Sequence, residues 1–175
     1  MIRTARLHLR LWSQAHRDAF AGMNADPEVM ADFGRTLSRA ESDAKLDRYA
    51  AAYRDHDLAR WAVEDLNGMF LGYAGVMPRL NADHPLGPHH EIGWRFVRSA
   101  WGQGFATEGA RAALDHAFAQ AGLDEILAYT APDNHRSQAV MARLNLTRKP
   151  AFDFETDQGG MGCWHGLVWA AQPNL

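Results

Sequence analysis

The chain has 175 residues, enough for one substantial core and too few for two ordinary domains. Its 47% apolar content is that of a globular protein, its formal charge of -3 gives no general pull toward nucleic acid, and no apolar run approaches the ~18 residues of a membrane span. Cys163 is the single cysteine, so no disulfide forms within the chain. Arg3 and Arg6 sit in an alternating start unlike the unbroken apolar stretch of a signal peptide, and a reducing cytoplasm is the expected location.

Leu7, Leu9 and Leu11 alternate with polar neighbours, which predicts a half-buried strand. Ser13 can cap a following helix that buries Ala19, Phe20 and Met23. Ser38 to Glu41 fits a capping box, after which Leu46, Tyr49, Ala50 and Tyr53 share one helical face. Trp61 to Leu66 and Met69 to Met77 read as strands, and Asn67-Gly68 between them favours a tight hairpin because both residues tolerate positive φ.

A polar loop with Pro85 and Pro88 precedes a strand over 91–98. Ala110, Ala113, Leu114, Ala117, Phe118 and Ala121 then recur at helical spacing, with Gly122 as the stop. A strand over 125–130, a short helix over 137–144 and closing strands over 152–155 and 163–169 complete a single mixed α/β domain over 1–175.

The segment Trp101-Gly102-Gln103-Gly104-Phe105-Ala106-Thr107 lies between a strand and the strongest helix pattern. A glycine turn opening a helix offers free backbone N–H groups and the positive end of the helix dipole, which suits a pyrophosphate; an ordinary strand-to-helix turn reads the same way on spacing alone. A P-loop fits poorly because Phe105-Ala106 stand where Lys and Ser or Thr are needed. A dinucleotide fingerprint fits poorly, with Thr107 at its third small position and Asp124 and Glu125 before the next strand rather than after it.

Trp101 to Glu108 resembles the Trp-Gly-x-Gly-Tyr-Ala-Thr-Glu form of the coenzyme A pyrophosphate motif of the GNAT superfamily, in the branch of ribosomal-protein N-terminal acetyltransferases. Phe105 stands for Tyr, and Trp101 replaces the Gln or Arg that leads the motif in other branches. Arg6 to Arg10, Glu91-Ile92-Gly93-Trp94 and Asn134 to Met141 match further segments of that branch in order. Leu144-Asn145-Leu146 departs from its Leu-Gly-Phe ending, yet Asn is the next choice after Gly for a left-handed cap.

The resemblance implies a mixed central sheet of about seven strands, splayed at the cofactor site and flanked by about four helices. It implies acetyl-coenzyme A as co-substrate, with no metal, and direct transfer of its acetyl group to a primary amine. The pantetheine arm would lie beside Phe96 and Val97, and Gly102, Gln103, Gly104, Phe105, Ala106 and Thr107 would hold the pyrophosphate. Asn134 would bond the arm from across the splay. Glu91 matches the position of a base that takes the amine proton, although a solvated carboxylate at a strand's start is equally ordinary. Ser137 matches a hydroxyl near the cofactor sulfur, or simply caps a helix.

The acceptor is expected to be a peptide N-terminus or a small amine; a non-catalytic acyl-coenzyme A-binding module is the alternative from another class. The acceptor walls are expected from the two N-terminal helices and the 78–90 and 150–162 segments. The protein is expected as a monomer or homodimer that binds neither nucleic acid nor membrane. His84, His89 and His90 share a loop without orderly ligand spacing, so a solvated loop is expected there rather than a metal site. Cys163 and Tyr129 are read as packing, and Trp61, Trp94 and Trp164 as core or cleft walls.

Overall fold

The structure, a computed structural model, describes residues 1–157 and 163–173. Strands β1 (Ile2–Arg3), β2 (Leu7–Arg10), β3 (Arg60–Asp65), β4 (Phe70–Arg79), β5 (His89–Phe96), β6 (Ile126–Thr130), β7 (Thr147–Arg148), β8 (Phe154–Asp157) and β9 (Cys163–Ala171) are joined by helices α1 (Arg17–Ala25), α2 (Arg39–His56), α3 (Phe105–Ala121) and α4 (His135–Arg143). The sheet order is β1-β2-β3-β4-β5-β6-β9-β7, with β8 added on β9. The two strands beyond the expected seven, β1 and β7, have two residues each, too short to show a period.

β5 and β6 are parallel and touch at one register position, Glu91 opposite Leu127, whereas β4 accompanies β5 along its full length and β9 does the same for β6. Beyond Glu91 the two central strands part. The expected splay is therefore present, with α3 as the crossover between them.

The sheet buries both faces. On one, α3 lays Ala110, Ala113, Leu114 and Ala117 against Leu7, Val63, Ala74 and Phe96. On the other, α1 and α2 pack Phe20, Met23, Leu46 and Tyr49 over Ala62, Tyr73 and Met77. Small residues on α3 let its axis approach the sheet closely: a Cβ on Gly109 would already touch the Ala74 side chain.

Local chemistry accounts for most element ends. Ser38 accepts from the Glu41 N–H while the Glu41 carboxylate accepts from the Ser38 N–H at 2.8 Å, a reciprocal cap at the start of α2. Gly122 and Asn145 end α3 and α4 at φ +59° each. Two expectations change. Ser13 caps a 3₁₀ turn, Gln14–His16, before α1 begins, and this rotates the helix so that Phe20, Met23 and Asn24 face inward while Ala19 is exposed. In the β3–β4 turn only Gly68 has positive φ; the Asp65 carboxylate accepts from the N–H groups of Asn67 and Met69 and holds a wider turn.

Candidate active site

At the outer end of the splay, β5 gives way to a 3₁₀ turn at Arg98–Ala100 and then to the glycine segment. Gly102 and Gly104 adopt φ +74° and +81°, a region where a side chain is strained, and Gly104 is the N-cap residue of α3. A Cβ built on Gly102 would meet nothing within 4 Å. The turn thus presents open backbone and the positive end of a 17-residue helix to one cleft.

The turn is anchored from the chain's start. Arg6 donates to the Gln103 carbonyl at 2.9 Å and pairs with Glu108 at 2.6 Å, and Thr4 donates to the same carboxylate at 2.6 Å. Burial alone would raise Glu108, but the donors from Thr4 and Arg6 outweigh it and hold the carboxyl below its usual value. Arg6 belongs to a segment singled out in the sequence, yet its anchoring role is legible only in three dimensions.

The cleft encloses about 1170 Å³. Phe96, Gly102, Gly104, Phe105, Ala106 and Thr107 line one side, Asn134 and Ser137 the other. Gln103 and Val97 stand outside it. The Gln103 side chain donates to the Ser99 carbonyl, and both backbone groups of Val97 are engaged, its N–H by Leu71 and its carbonyl by Ala100. The Trp101 indole donates to the Phe96 carbonyl at 2.9 Å, and Arg136 from α4 lies 4.1 Å over the Trp101 ring, so the two lips meet there. Arg136 and Arg143 add positive charge on the α4 side of the cleft. This donor set, a helix N-terminus preceded by two glycines, the first in open space, with two arginines opposite, fits the phosphates of coenzyme A.

Asn134 caps α4: its side-chain oxygen accepts from the Ser137 N–H at 3.1 Å, and its amide nitrogen lies 3.5 Å from Asp32 across the splay. Ser137 is thus inside the helix rather than its cap, and its hydroxyl is not needed for capping.

The inner end of the splay has a different construction. Arg60, Gly75 and Gly93 face one another across β3, β4 and β5. A Cβ on Gly93 would collide with the Arg60 guanidinium, so the bare strand is what lets this arginine lie along the sheet to Glu91. Glu91 is buried, pairs with Arg60 at 2.6 Å and is also bonded by Arg79. Burial alone would raise its pKa, but the two guanidinium charges outweigh that and hold it at about 2. A carboxylate of that acidity is a feeble proton acceptor for an ammonium near neutral pH.

Tyr73, opposite Arg95 in the sheet, is buried among Lys45, Arg95 and Arg60; burial would raise its phenol, and these charges pull it below its usual value instead. Burial also raises Tyr129, which faces Glu91.

His84 and His89 pack ring to ring with Tyr129, and His84 with Phe154, as a part-buried aromatic cluster rather than a solvated loop. Among the described residues no three His, Cys, Asp or Glu side chains converge as metal ligands. Cys163, read as packing, is exposed. Trp61 is core and Trp94 lines the cleft. Of the expected acceptor walls, residues 158–162 lie outside the described residues. Arg60, Arg79, Tyr73, Lys45 and Asp32 carried no sequence signal, because lone polar residues in strands and helices announce nothing until the fold brings them together.

Comparison with known proteins agrees with this geometry. Residues 6–147 match the model of the acetyltransferase (GNAT) domain. FsC-acetyl coenzyme A-N(2)-transacetylase of Aspergillus fumigatus is 32% identical over 95% of this chain and 73% of its own length. An acetyltransferase from Agrobacterium tumefaciens superposes with a TM-score of 0.80 at 24% identity, covering 98% of this chain and 94% of that one. RimL, a ribosomal-protein α-N-acetyltransferase solved with coenzyme A, gives 0.75 at 15% identity over 97% and 95% of the two chains. A splayed sheet with its glycine turn at the mouth, a family model spanning most of the length and a relative above 30% identity lead to one assignment: the chain belongs to the GNAT acetyltransferases and is an acetyl-coenzyme A-dependent acyltransferase.

Proposed function

We propose that the protein transfers the acetyl group of acetyl-coenzyme A directly to a small primary amine. The observation that carries this reading is the parting of β5 and β6 beyond Glu91, with the Gly102–Gly104 turn at its outer end and a polar, charged sheet face at its inner end. The glycine turn and the first turn of α3 hold the phosphates. Asn134 offers its amide N–H to the pantetheine arm while its oxygen stays on the helix cap. Phe96 borders the arm, and Val97 serves instead to tie β5 to β4.

The acceptor must arrive as a neutral amine, attack the thioester carbonyl and displace the thiolate. The positive charges of Arg60 and Arg79 beside this face disfavour an ammonium ion, so an amine drawn there sheds its proton to water without a strong base. Glu91 then keeps two guanidiniums in place and orients the water that carries the proton away. As the C–S bond breaks, Ser137, free of capping duty and lining the cleft, gives its hydroxyl proton to the departing sulfur and takes back the proton that the attacking nitrogen sheds, so thiol and amide leave neutral.

A small acceptor is favoured by the 32% identity to a transacetylase whose name specifies an N(2) amine. A protein N-terminus is the second reading; it rests on the form of Trp101 to Glu108 and on the likeness of fold to RimL. The test is thiol release from acetyl-coenzyme A across a panel of small amines and short peptides. Release with small amines at least tenfold faster than with peptides is expected, and peptide preference would reverse the order of the two readings.

A further inference from the structure

The sheet face beneath α1 and α2 is out of charge balance. Beside the Arg10–Glu64 pair, four further cations, Lys45, Arg60, Arg79 and Arg95, face two further carboxylates: Glu91, which Arg60 and Arg79 share, and Asp32, which pairs with Arg95 at 2.9 Å. Lys45 is part-buried with its ammonium 5.5 Å from the Tyr73 ring, 5.8 Å from Phe20 and 5.9 Å from Phe33. No carboxylate among the described residues pairs with it. The Nε atoms of Arg60 and Arg95 are buried without a hydrogen-bond partner. The depressed phenol of Tyr73 reports the same excess, since the field of Lys45, Arg95 and Arg60 overrides its burial.

Burying like charges without a counter-charge is unfavourable unless the arrangement serves something that brings one. Arg79 is the most exposed of the three arginines, with 38% of its side chain accessible, and it stands beside Glu91 where β5 and β6 begin to part. An anion approaching the parting point meets this guanidinium first, and a planar fork of N–H donors matches a carboxylate.

On the reading that the site acetylates small amines, we propose that the acceptor carries a carboxylate within a few bonds of its amine, as an amino acid does, and that this carboxylate docks on Arg79. The pairing gives each group of the acceptor its own environment. The carboxylate supplies the second negative charge that Arg60 and Arg79, sharing Glu91, lack, and the amine is left beside cations that favour its neutral, nucleophilic form.

The experiment compares kcat/KM for matched pairs, each a free amino acid and its primary amide, followed by thiol release, with acetyl-coenzyme A affinity measured separately by calorimetry. The wild-type protein is expected to prefer the free carboxylate at least tenfold. Arg79→Gln should bring that ratio to about one, and Arg79→Lys, which keeps the charge but not the fork, should leave an intermediate ratio. Equal rates on acid and amide in the wild type, or a preference for the amide or for peptides blocked at the C-terminus, overturn the proposal. An unchanged ratio in folded Arg79→Gln overturns the assignment of Arg79. Acetyl-coenzyme A binding with no turnover of any amine sinks the acetyl-transfer reading itself, and the proposal with it.

Discussion

The two ends of the splay are built on opposite principles. The outer end offers backbone: two glycines at positive φ and a helix N-terminus, with the Asn134 cap of α4 opposite. The inner end is made of charged side chains from β3, β4 and β5, brought together by tertiary packing and neutralised only in part. A backbone site needs a particular local sequence and little else. A side-chain site needs the whole sheet in register, and it stores electrostatic free energy that responds to pH and to ligand.

The largest expected effect tests the backbone end. Gly104→Val should lower acetyl-coenzyme A affinity roughly a thousandfold, about 4 kcal/mol, because its Cβ already meets the Arg6 guanidinium at 3.4 Å and so displaces the anchor of the turn that faces the pyrophosphate. Part of any stability loss comes from the positive φ of Gly104 itself. Gly122→Ala supplies the control. Gly122 has φ +59° and open space around it, at the other end of α3, so the substitution should cost similar backbone strain and leave affinity unchanged. Calorimetry that finds Gly104→Val binding normally would remove the phosphate site from this turn.

The next effect belongs to the charged end. Glu91 is held at about 2 against an ordinary value of 4.5, so it binds its proton less readily in the folded state than in the unfolded one. Its contribution to stability is therefore complete above about pH 4.5 and is lost as pH falls toward 2. The contribution is about 3 kcal/mol at ~1.36 kcal/mol per unit. Urea unfolding across that window should show a loss of stability that Glu91→Gln, already lower at neutral pH, lacks. If wild type and variant fall in parallel, the Arg60–Glu91–Arg79 cluster is not the acid-sensitive element.

The smallest effect separates two neighbours at the mouth of the cleft. Asn134→Ala removes the cap of α4 and should cost about 1 kcal/mol of stability, together with weaker cofactor binding. Ser137→Ala should leave thermal stability unchanged and lower turnover roughly tenfold or more, since the hydroxyl is assigned to the leaving sulfur and not to the helix. Full turnover in Ser137→Ala would return that proton to water.

What the amino-acid order decided by itself is what depends on near neighbours. The helix caps at Ser38, Gly122 and Asn145, the alternation in β2 and the glycine turn opening α3 are all set within a few residues. Each was legible with its physical reason attached. Ala19 and the Asn67-Gly68 turn were misread because a 3₁₀ turn and the Asp65 carboxylate shift the local geometry by a residue or two.

Glu91 was found as a position but not as a state. Its sequence neighbours say nothing of Arg60, 31 residues earlier, or of Gly93, whose missing side chain makes room for that guanidinium. Only the tertiary structure decided that this carboxylate would be doubly paired and that Lys45 would face rings in place of an acid. Electrostatic environment is a property of distances between strands and helices far apart in the chain, and those distances exist only once the sheet has formed.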